Sequence, residues 1–538
     1  MRSSVARRTA LLAAAATSLA LLMAACGSEP DPAPTEPDGD SVLGGISGLE
    51  LAKGTLLISD GTPRVRIGDA IVTFPSSVTD AIWSPDGSRI AYIDGDGNVA
   101  TARPNGTDVL VLTTTDPTVV RSRPTWLRQW ILYAEAKADG TSSLRSVPAN
   151  GCAIGDTPAA GQEWPMDTGD GTSYVDLAPS ASATERPMRV AFQHEEPSGA
   201  EIWINDSNQR VPLTYQVTKG SEPALTLDGQ KLAYVGPDGD IYVTLPGEAA
   251  PAGTRLTSGA GHPTRLAWSP DGQYIAYETA AAVQRVSAAG GANAPEDLAE
   301  PPGTPSYLYG QENTLFAVTG ADPTALSVAA SQARWPGTAA FMPGQGYLGA
   351  YTATIGLASQ PPSPDRYGPL LLLGSADQLD PRVTAELGRI FGAVPPGSLS
   401  MRPRVYVDGL VSTAIDQELE KLGYEVVRGQ PSVEPAVTDL CASNKGPALS
   451  AELVVVDGSD PVAVRLGRSF AGPRPMLVLQ GGLTEEQATW LRRSSGVIES
   501  VYAIGSVPED LQQQVAGLVA GPLGYTTTHN PISQAALY

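Results

Sequence analysis

Trp83-Ser84-Pro85-Asp86-Gly87, with Arg89-Ile90-Ala91-Tyr92 behind it, returns almost unchanged as Trp268-Ser269-Pro270-Asp271-Gly272 with Tyr274-Ile275-Ala276-Tyr277. A third copy keeps the frame as Leu225-Thr226-Leu227-Asp228-Gly229 and Lys231-Leu232-Ala233-Tyr234. Weaker copies stand at Trp126 with Ile131-Leu132-Tyr133-Ala134, and at Leu177-Ala178-Pro179 with Arg189-Val190-Ala191-Phe192. Pro-Asp-Gly combines a preset φ, a side chain that bonds its own backbone and a residue free to take positive φ, so it turns one strand into the next. The alternating, β-rich stretch after it leads to a second turn, Asp94-Gly95-Asp96-Gly97 or Pro237-Asp238-Gly239-Asp240. Leu-Thr pairs at Leu112-Thr113, Leu213-Thr214 and Leu256-Thr257 recur ahead of the Trp positions or their equivalents.

Equivalent positions lie roughly 43 to 51 residues apart, the length of one four-stranded blade. Residues 50–311 are therefore expected to form an all-β propeller of five or six blades. Five signatures are present, and strands near Leu56-Leu57-Ile58 and Tyr307-Leu308 would complete a sixth. The repeats resemble those of TolB-like propellers over about residues 50 to 305. The resemblance implies the fold and no particular partner, because function is carried by loops. Asp94, Asp96 and Asn98 have the opening spacing of a calcium loop. Val99, however, stands where a turn glycine is needed and Asn105 where a bidentate Glu is needed, so hairpin turns account for these acids.

From about Phe316 helix and strand alternate. Helices are expected at Asp322–Gln332, Tyr347–Ala358, Pro381–Ile390 and Ser412–Leu422. Strands are expected at Ala339–Met342, Gly368–Leu373, Arg404–Val407 and Tyr424–Val427. The order then repeats: helix Pro435–Ala442, strand Leu453–Val456, helix Pro461–Phe470, strand Pro475–Leu479, helix Glu485–Arg492, strand Ser500–Gly505 and helix Glu509–Val519. Strands such as Leu370-Leu371-Leu372-Leu373 have no polar face, as in parallel sheets covered on both sides. The second half is expected to be a duplicated α/β module with parallel sheets, divided at residues 312–429 and 430–524, with a tail at 525–538.

This series resembles the type 2 cell wall-binding repeat family over about residues 316 to 523. The matching stretches are Gly320-Ala321-Asp322, Pro369-Leu370-Leu371-Leu372, Leu379 to Leu387 and Val405 to Gly409. Two copies are found where well-known wall-anchoring members have three, and the family's Gly-Gly becomes Asp408-Gly409 and Gly505-Ser506. The resemblance implies binding of anionic wall polymer at the Pro-Leu strands, here Pro369, Leu370, Leu371 and Leu372 in one copy and Pro475, Met476, Leu477 and Val478 in the other. The same residues also read simply as core strands.

Residues 1–25 read as a signal peptide: Arg2, Arg7 and Arg8 precede an apolar run, Ala10 to Met23, that is about fourteen residues long and too short to span a bilayer. Leu22-Met23-Ala24-Ala25-Cys26 resembles a bacterial lipobox, which implies a lipid thioether at Cys26; the alternative is an ordinary leader with a cysteine at its end. Residues 26–49, rich in Pro, Asp and Glu, read as a flexible tether. No later stretch approaches a membrane span.

The net charge of -22 argues against nucleic acid as a partner. Cys152 and Cys441 fall in different expected domains and read as two buried thiols. His194, His262 and His529 have no metal-ligand spacing, and neither a G-x-S-x-G elbow, a P-loop nor a G-x-G-x-x-G turn is present. No catalytic residue, metal or cofactor is expected. The expected protein is a non-catalytic lipoprotein on the outer face of the cell membrane, binding wall polymer through its C-terminal repeats and a partner protein or envelope ligand through its propeller. Two alternatives stay open: an envelope hydrolase or hydrolase regulator with the propeller gating substrate, or a scaffold whose α/β repeats serve as an oligomerisation unit.

Overall fold

The Ser-Pro-Asp-Gly turn closes as its residues dictate. The Asp86 Oδ1 accepts from Ser84 Oγ at 2.7 Å and from the Ser88 amide at 3.0 Å, while Gly87 takes φ 76°. Asp271 and Asp228 repeat the pattern, accepting from the Ser269 and Thr226 hydroxyls, with Gly272 and Gly229 both at φ 64°. Two of the Leu-Thr pairs anchor their blade's third strand: the Val99 amide donates to Thr113 Oγ1 at 2.9 Å, and the Ile241 amide to Thr257 Oγ1 at 2.8 Å. The computed structural model describes residues 49, 51–152, 162–163, 180–181, 189–196, 198–206, 213–247, 253–290, 294–334, 352–359, 369–391, 403–428, 451–472, 474–522 and 524–528.

Six four-stranded antiparallel sheets make the first half a six-bladed β-propeller. Their innermost strands are Thr304–Tyr307, Thr79–Trp83, Val119–Leu127, Ser180–Ala181, Ser221–Leu225 and Thr264–Trp268. The first blade takes its innermost strand from the far end of the propeller sequence, pairing Leu56 with Tyr307 and Ser59 with Thr304. This closure joins the two ends of the ring within one sheet and leaves only short, protected strand edges. Each signature Trp packs into the preceding blade: Trp83 with Leu57, Val65 and Ile67, Trp126 with Ala91 and Val99, Trp268 with Ala224 and Ile241. All three are nearly fully buried, and burying so large a side chain contributes about 2–3 kcal/mol.

Two all-parallel sheets follow. One orders its strands Leu370–Leu373, Thr352–Leu357, Arg404–Val407, Glu425–Arg428. The other runs Met476–Leu479, Glu452–Asp457, Ser500–Ile504, Asn313–Val318, Tyr525–Thr528. Helices Pro323–Arg334 and Pro461–Ala471 share one core with Leu370 and Leu372 of the first sheet and Val454 and Val456 of the second.

Three expectations are corrected. The helix expected at Tyr347–Ala358 is, over Thr352–Leu357, a strand: Thr352, Thr354 and Ile355 are β-branched, and the segment is ladder-paired on both sides. The division at 429/430 does not follow the sheets, since Asn313–Val318 enters the second sheet between Ser500–Ile504 and Tyr525–Thr528, the latter having been read as tail. Cys152 is not a free buried thiol but one half of a disulfide. The chain's other cysteines, Cys26 and Cys441, lie outside the described residues, as do the strand expected at Ala339–Met342 and the helix expected at Pro435–Ala442.

Propeller and α/β region belong to one compact unit, Leu43–Tyr538, and meet at the first Ser-Pro-Asp-Gly turn. Leu308, in the short link between them, is fully buried, and the Gln311 amide donates to the Pro85 carbonyl at 2.9 Å. Arg89, also fully buried, donates to Asp108 Oδ2 at 3.1 Å and to the Arg492 carbonyl at 3.3 Å. That carbonyl belongs to the last turn of helix Glu485–Arg493, where a cation meets the negative end of the helix dipole.

Candidate functional site at the propeller channel

The innermost strands carry one irregularity four times. Between Thr79 and Ile82, Ser122 and Thr125, Ser221 and Ala224, and Thr264 and Ala267 the register shifts, inserting a bulge. At each bulge the second residue takes the left-handed conformation: Asp80 at φ 56°, Arg123 at 54°, Glu222 at 54° and Arg265 at 57°. Each costs about 1 kcal/mol or more for a side chain with a Cβ, and such strain concentrates at functional positions.

The four side chains meet around the central channel with alternating sign. Arg123 donates from both terminal nitrogens to Glu222, at 2.8 and 2.6 Å, and its amide donates to Asp80 Oδ2 at 2.9 Å. The Arg265 amide donates to Glu222 Oε2 at 2.7 Å, and its Nη2 lies 2.9 Å from Asp80 Oδ1, closing the circuit. Burial pushes the Glu222 carboxyl up, but Arg123 and Arg265 outweigh it and hold the group below the ordinary carboxylate range. Beside the ring, Glu278 is pushed the other way, by burial first and then by the charges of Asp80 and Glu222 against the pull of Arg265.

The ring borders a cavity of about 170 Å³, walled further in by Trp83, Trp126, Trp268, Pro124, Pro223 and Tyr309. Tyr309 donates its hydroxyl to the Trp268 carbonyl at 3.2 Å, and burial raises its pKa. A cavity of this volume is smaller than the ~300–1,000 Å³ usual for cofactor or drug-sized ligands.

The residues singled out in the α/β region sit inside the sheets. Pro369, Leu370, Leu371 and Leu372 are buried, as are Pro475, Met476 and Leu477, with Val478 partly so. Leu370–Leu373 and Met476–Leu479 are edge strands, so a polymer reaching them would meet strand edges and ends rather than these side chains. The crevice at the carboxyl ends of the first sheet's central strands, where open α/β sheets hold ligands, is occupied by Arg465. Its Nη1 donates to the Leu357 carbonyl at 2.7 Å, and its Nη2 lies 3.6 Å from Asp408. Cys26 and His529 lie outside the described residues.

Asp94 Oδ1 accepts from the amides of Asp96 and Asn98 at 2.9 and 2.8 Å, as a hairpin turn requires. Among the described residues no group of three or more His, Cys, Asp or Glu is placed to hold a metal ion, and no helix is long and apolar enough to cross a membrane. The charged ring was not singled out from sequence. Its signal is a charged residue three places before the signature Trp or Leu in four of the five copies, reading Asp80, Arg123, Glu222, Arg265.

A six-bladed propeller with a charge-bordered channel is thus joined to a duplicated α/β region. No family model matches the sequence, and no curated protein does. Among solved structures, TolB from Acinetobacter baumannii is 13% identical, with a TM-score of 0.35; the match covers 47% of this chain and 66% of that one. The β-propeller domain of Cps50 (Swd1) from Myceliophteria thermophila is 13% identical, with a TM-score of 0.32, covering 49% of this chain and 92% of that one.

Proposed function

We propose that the protein is a non-catalytic scaffold of the cell envelope whose propeller holds a partner protein at the channel. The observation that carries this reading is the ring of Asp80, Arg123, Glu222 and Arg265, four charged residues held in a costly backbone conformation at equivalent places in four blades. A purely structural channel lining needs neither charge nor strain. The test is co-purification from solubilised envelopes with the wild type and with Arg123→Glu. A protein retained by the wild type and lost with the variant supports the reading; identical profiles reject it.

In the same proposal Cys26 carries the lipid that keeps the chain at the outer membrane face, and the α/β region touches anionic wall polymer. The disulfide at Cys152 favours an oxidising, extracytoplasmic setting, since such bonds are rare where thiols are kept reduced. Lipid and wall contacts on one chain would reinforce each other through effective concentration. Sedimentation of the whole exported chain with purified cell wall tests the second contact, and a chain left in the supernatant rejects it.

A further inference from the structure

We infer that the junction between the propeller and the α/β region is a proton-operated latch: with a proton on Asp86 the two surfaces stay closed, and as Asp86 ionises they part. The inference goes beyond the scaffold reading and does not depend on it.

One turn in two settings shows the cause. Asp271 lies in an exposed Ser-Pro-Asp-Gly turn and accepts from Ser269 Oγ at 2.6 Å and from the Gln273 amide at 3.0 Å. Those bonds hold its carboxyl below the ordinary range. Asp86 accepts the matching pair from Ser84 and Ser88, with Ser88 Oγ at 2.8 Å besides. Its pKa is nevertheless raised, because burial outweighs the bonds. The residues are the same and the cover differs.

That cover is backbone of the α/β region. A Cβ on Gly496 would come within 3.1 Å of Ser84 Cβ and 3.2 Å of Ser88 Oγ, and one on Gly521 would overlap the Asp86 carbonyl oxygen. The Gly496 amide pulls the Asp86 pKa slightly back without forming a hydrogen bond to it.

What the closed junction lacks is one hydrogen. Asp86 Oδ1 takes all the bonds, while Oδ2 is buried and takes none. Asn313, from the first strand of the α/β region, donates Nδ2 to the Ile498 carbonyl at 2.6 Å, and its Oδ1 is also buried without a partner. Asp86 and Asn313 border the same space of about 10 Å³, room for a single water-sized group. Two acceptors thus meet with no donor between them. A proton taken from solvent onto Asp86 Oδ2 supplies one and removes a buried charge.

The surrounding charges do not hold Asp86 ionised. Arg128 of the propeller, Glu312 of the link and Glu499 of the α/β region border the space, one cation against two anions. Arg89 turns to Asp108 and the Arg492 carbonyl, Arg492 pairs with Glu485, and Arg493 is exposed. Opening has a consequence for the channel, because Pro85 borders both spaces and holds the Gln311 amide of the link that carries Tyr309 against Trp268.

The sign follows from the two forms. Opening hydrates Asp86 and returns its pKa to about 3.9. Between that value and the raised one, closing takes up a proton, so the closed form loses ground as pH rises. Above the raised value the loss is constant.

Hydrogen exchange of the whole exported chain between pH 4 and pH 8, each rate divided by the intrinsic rate at that pH, tests this. Protection over Ser84–Arg89 is expected to fall at least about ten-fold across the range, one unit of pKa difference being a factor of ten. The sister turn, Ser269–Tyr274, should show no such fall. Asp86→Asn keeps an Oδ1 acceptor for Ser84 and Ser88 and places an N–H where the protonated acid has its O–H, so it should stay protected at every pH. If that variant fails to fold, Gly521→Ala serves: it parts the surfaces, and exchange should be fast at both ends of the range. Protection that does not fall in the wild type overturns the latch. So does a fall shared equally by Ser269–Tyr274, or one retained in full by Asp86→Asn or Gly521→Ala.

Discussion

Arg123 and Glu222 lie 99 residues apart in the chain and form a two-pronged ion pair across the propeller channel, with side chains 17% and 9% exposed. In so dry a setting the pair's net worth is small, but either partner left alone is expensive. Arg123→Met is therefore expected to destabilise the fold by about 2–4 kcal/mol, because Glu222 keeps only the Arg265 amide and Arg265's charge to offset its burial. The double variant Arg123→Met, Glu222→Met should recover most of that loss. Urea unfolding of the four members of the cycle checks this, and simple additivity of the two single losses would contradict it.

Acid should weaken the ring in a defined window. Glu222 is held below its ordinary range in the folded chain, so its stabilising contribution is complete above the unfolded pKa, about 4.3, and disappears as pH falls through the folded value. The stability gap between the wild type and Glu222→Gln should accordingly close below about pH 4. Glu278 has the opposite sign: its pKa is raised, so the folded state disfavours its ionised form above the unfolded value. Glu278→Gln is expected to be neutral or stabilising at pH 7, with the gain vanishing in acid. A marked loss of stability at pH 7 would show that Glu278 has a compensating partner.

The repeat turns were legible because each of their residues acts locally. Asp86, Asp228 and Asp271 bond within two or three residues of themselves, and the glycine behind each takes positive φ wherever the blade sits. The edge strands Leu370–Leu373 and Met476–Leu479 were legible from composition alone. Long-range assembly was not. Nothing near Asn313 says that its strand will cross into the second sheet, and the β-branched Thr352, Thr354 and Ile355 take their place as a strand between two others only when both neighbours are in place. The channel ring was hidden for a related reason: Asp80, Arg123, Glu222 and Arg265 are ordinary surface residues one at a time and become a site only when four blades bring them together.

The junction between propeller and α/β region depends on a missing side chain. A Cβ on Gly521 would overlap the carbonyl oxygen of Asp86, inside the first Ser-Pro-Asp-Gly turn. Gly521→Ala must push that turn and the α/β region apart, at about 1–3 kcal/mol by analogy with other overpacked contacts. Amide exchange over Ser84–Arg89 should accelerate, because Arg89 loses its seat under the Arg492 carbonyl. Gly374→Ala, where the added methyl meets nothing within 4 Å, is the matched control and should stay within about 0.5 kcal/mol of wild type.

The sharpest check on membrane anchoring comes from sulfur. Cys152 is disulfide-bonded, and the chain has only two other cysteines, Cys26 and Cys441. A thioether to lipid leaves Cys26 no thiol to oxidise, so an anchored chain must pair Cys152 with Cys441. Peptide mapping of the envelope-extracted protein without reductant should recover that crosslink together with an acylated Cys26 peptide. Reduction should then destabilise the fold by about 2–5 kcal/mol, the usual cost of losing a native disulfide. A crosslink from Cys152 to Cys26 instead would remove the lipid and, with it, the reason to place the propeller at the membrane surface.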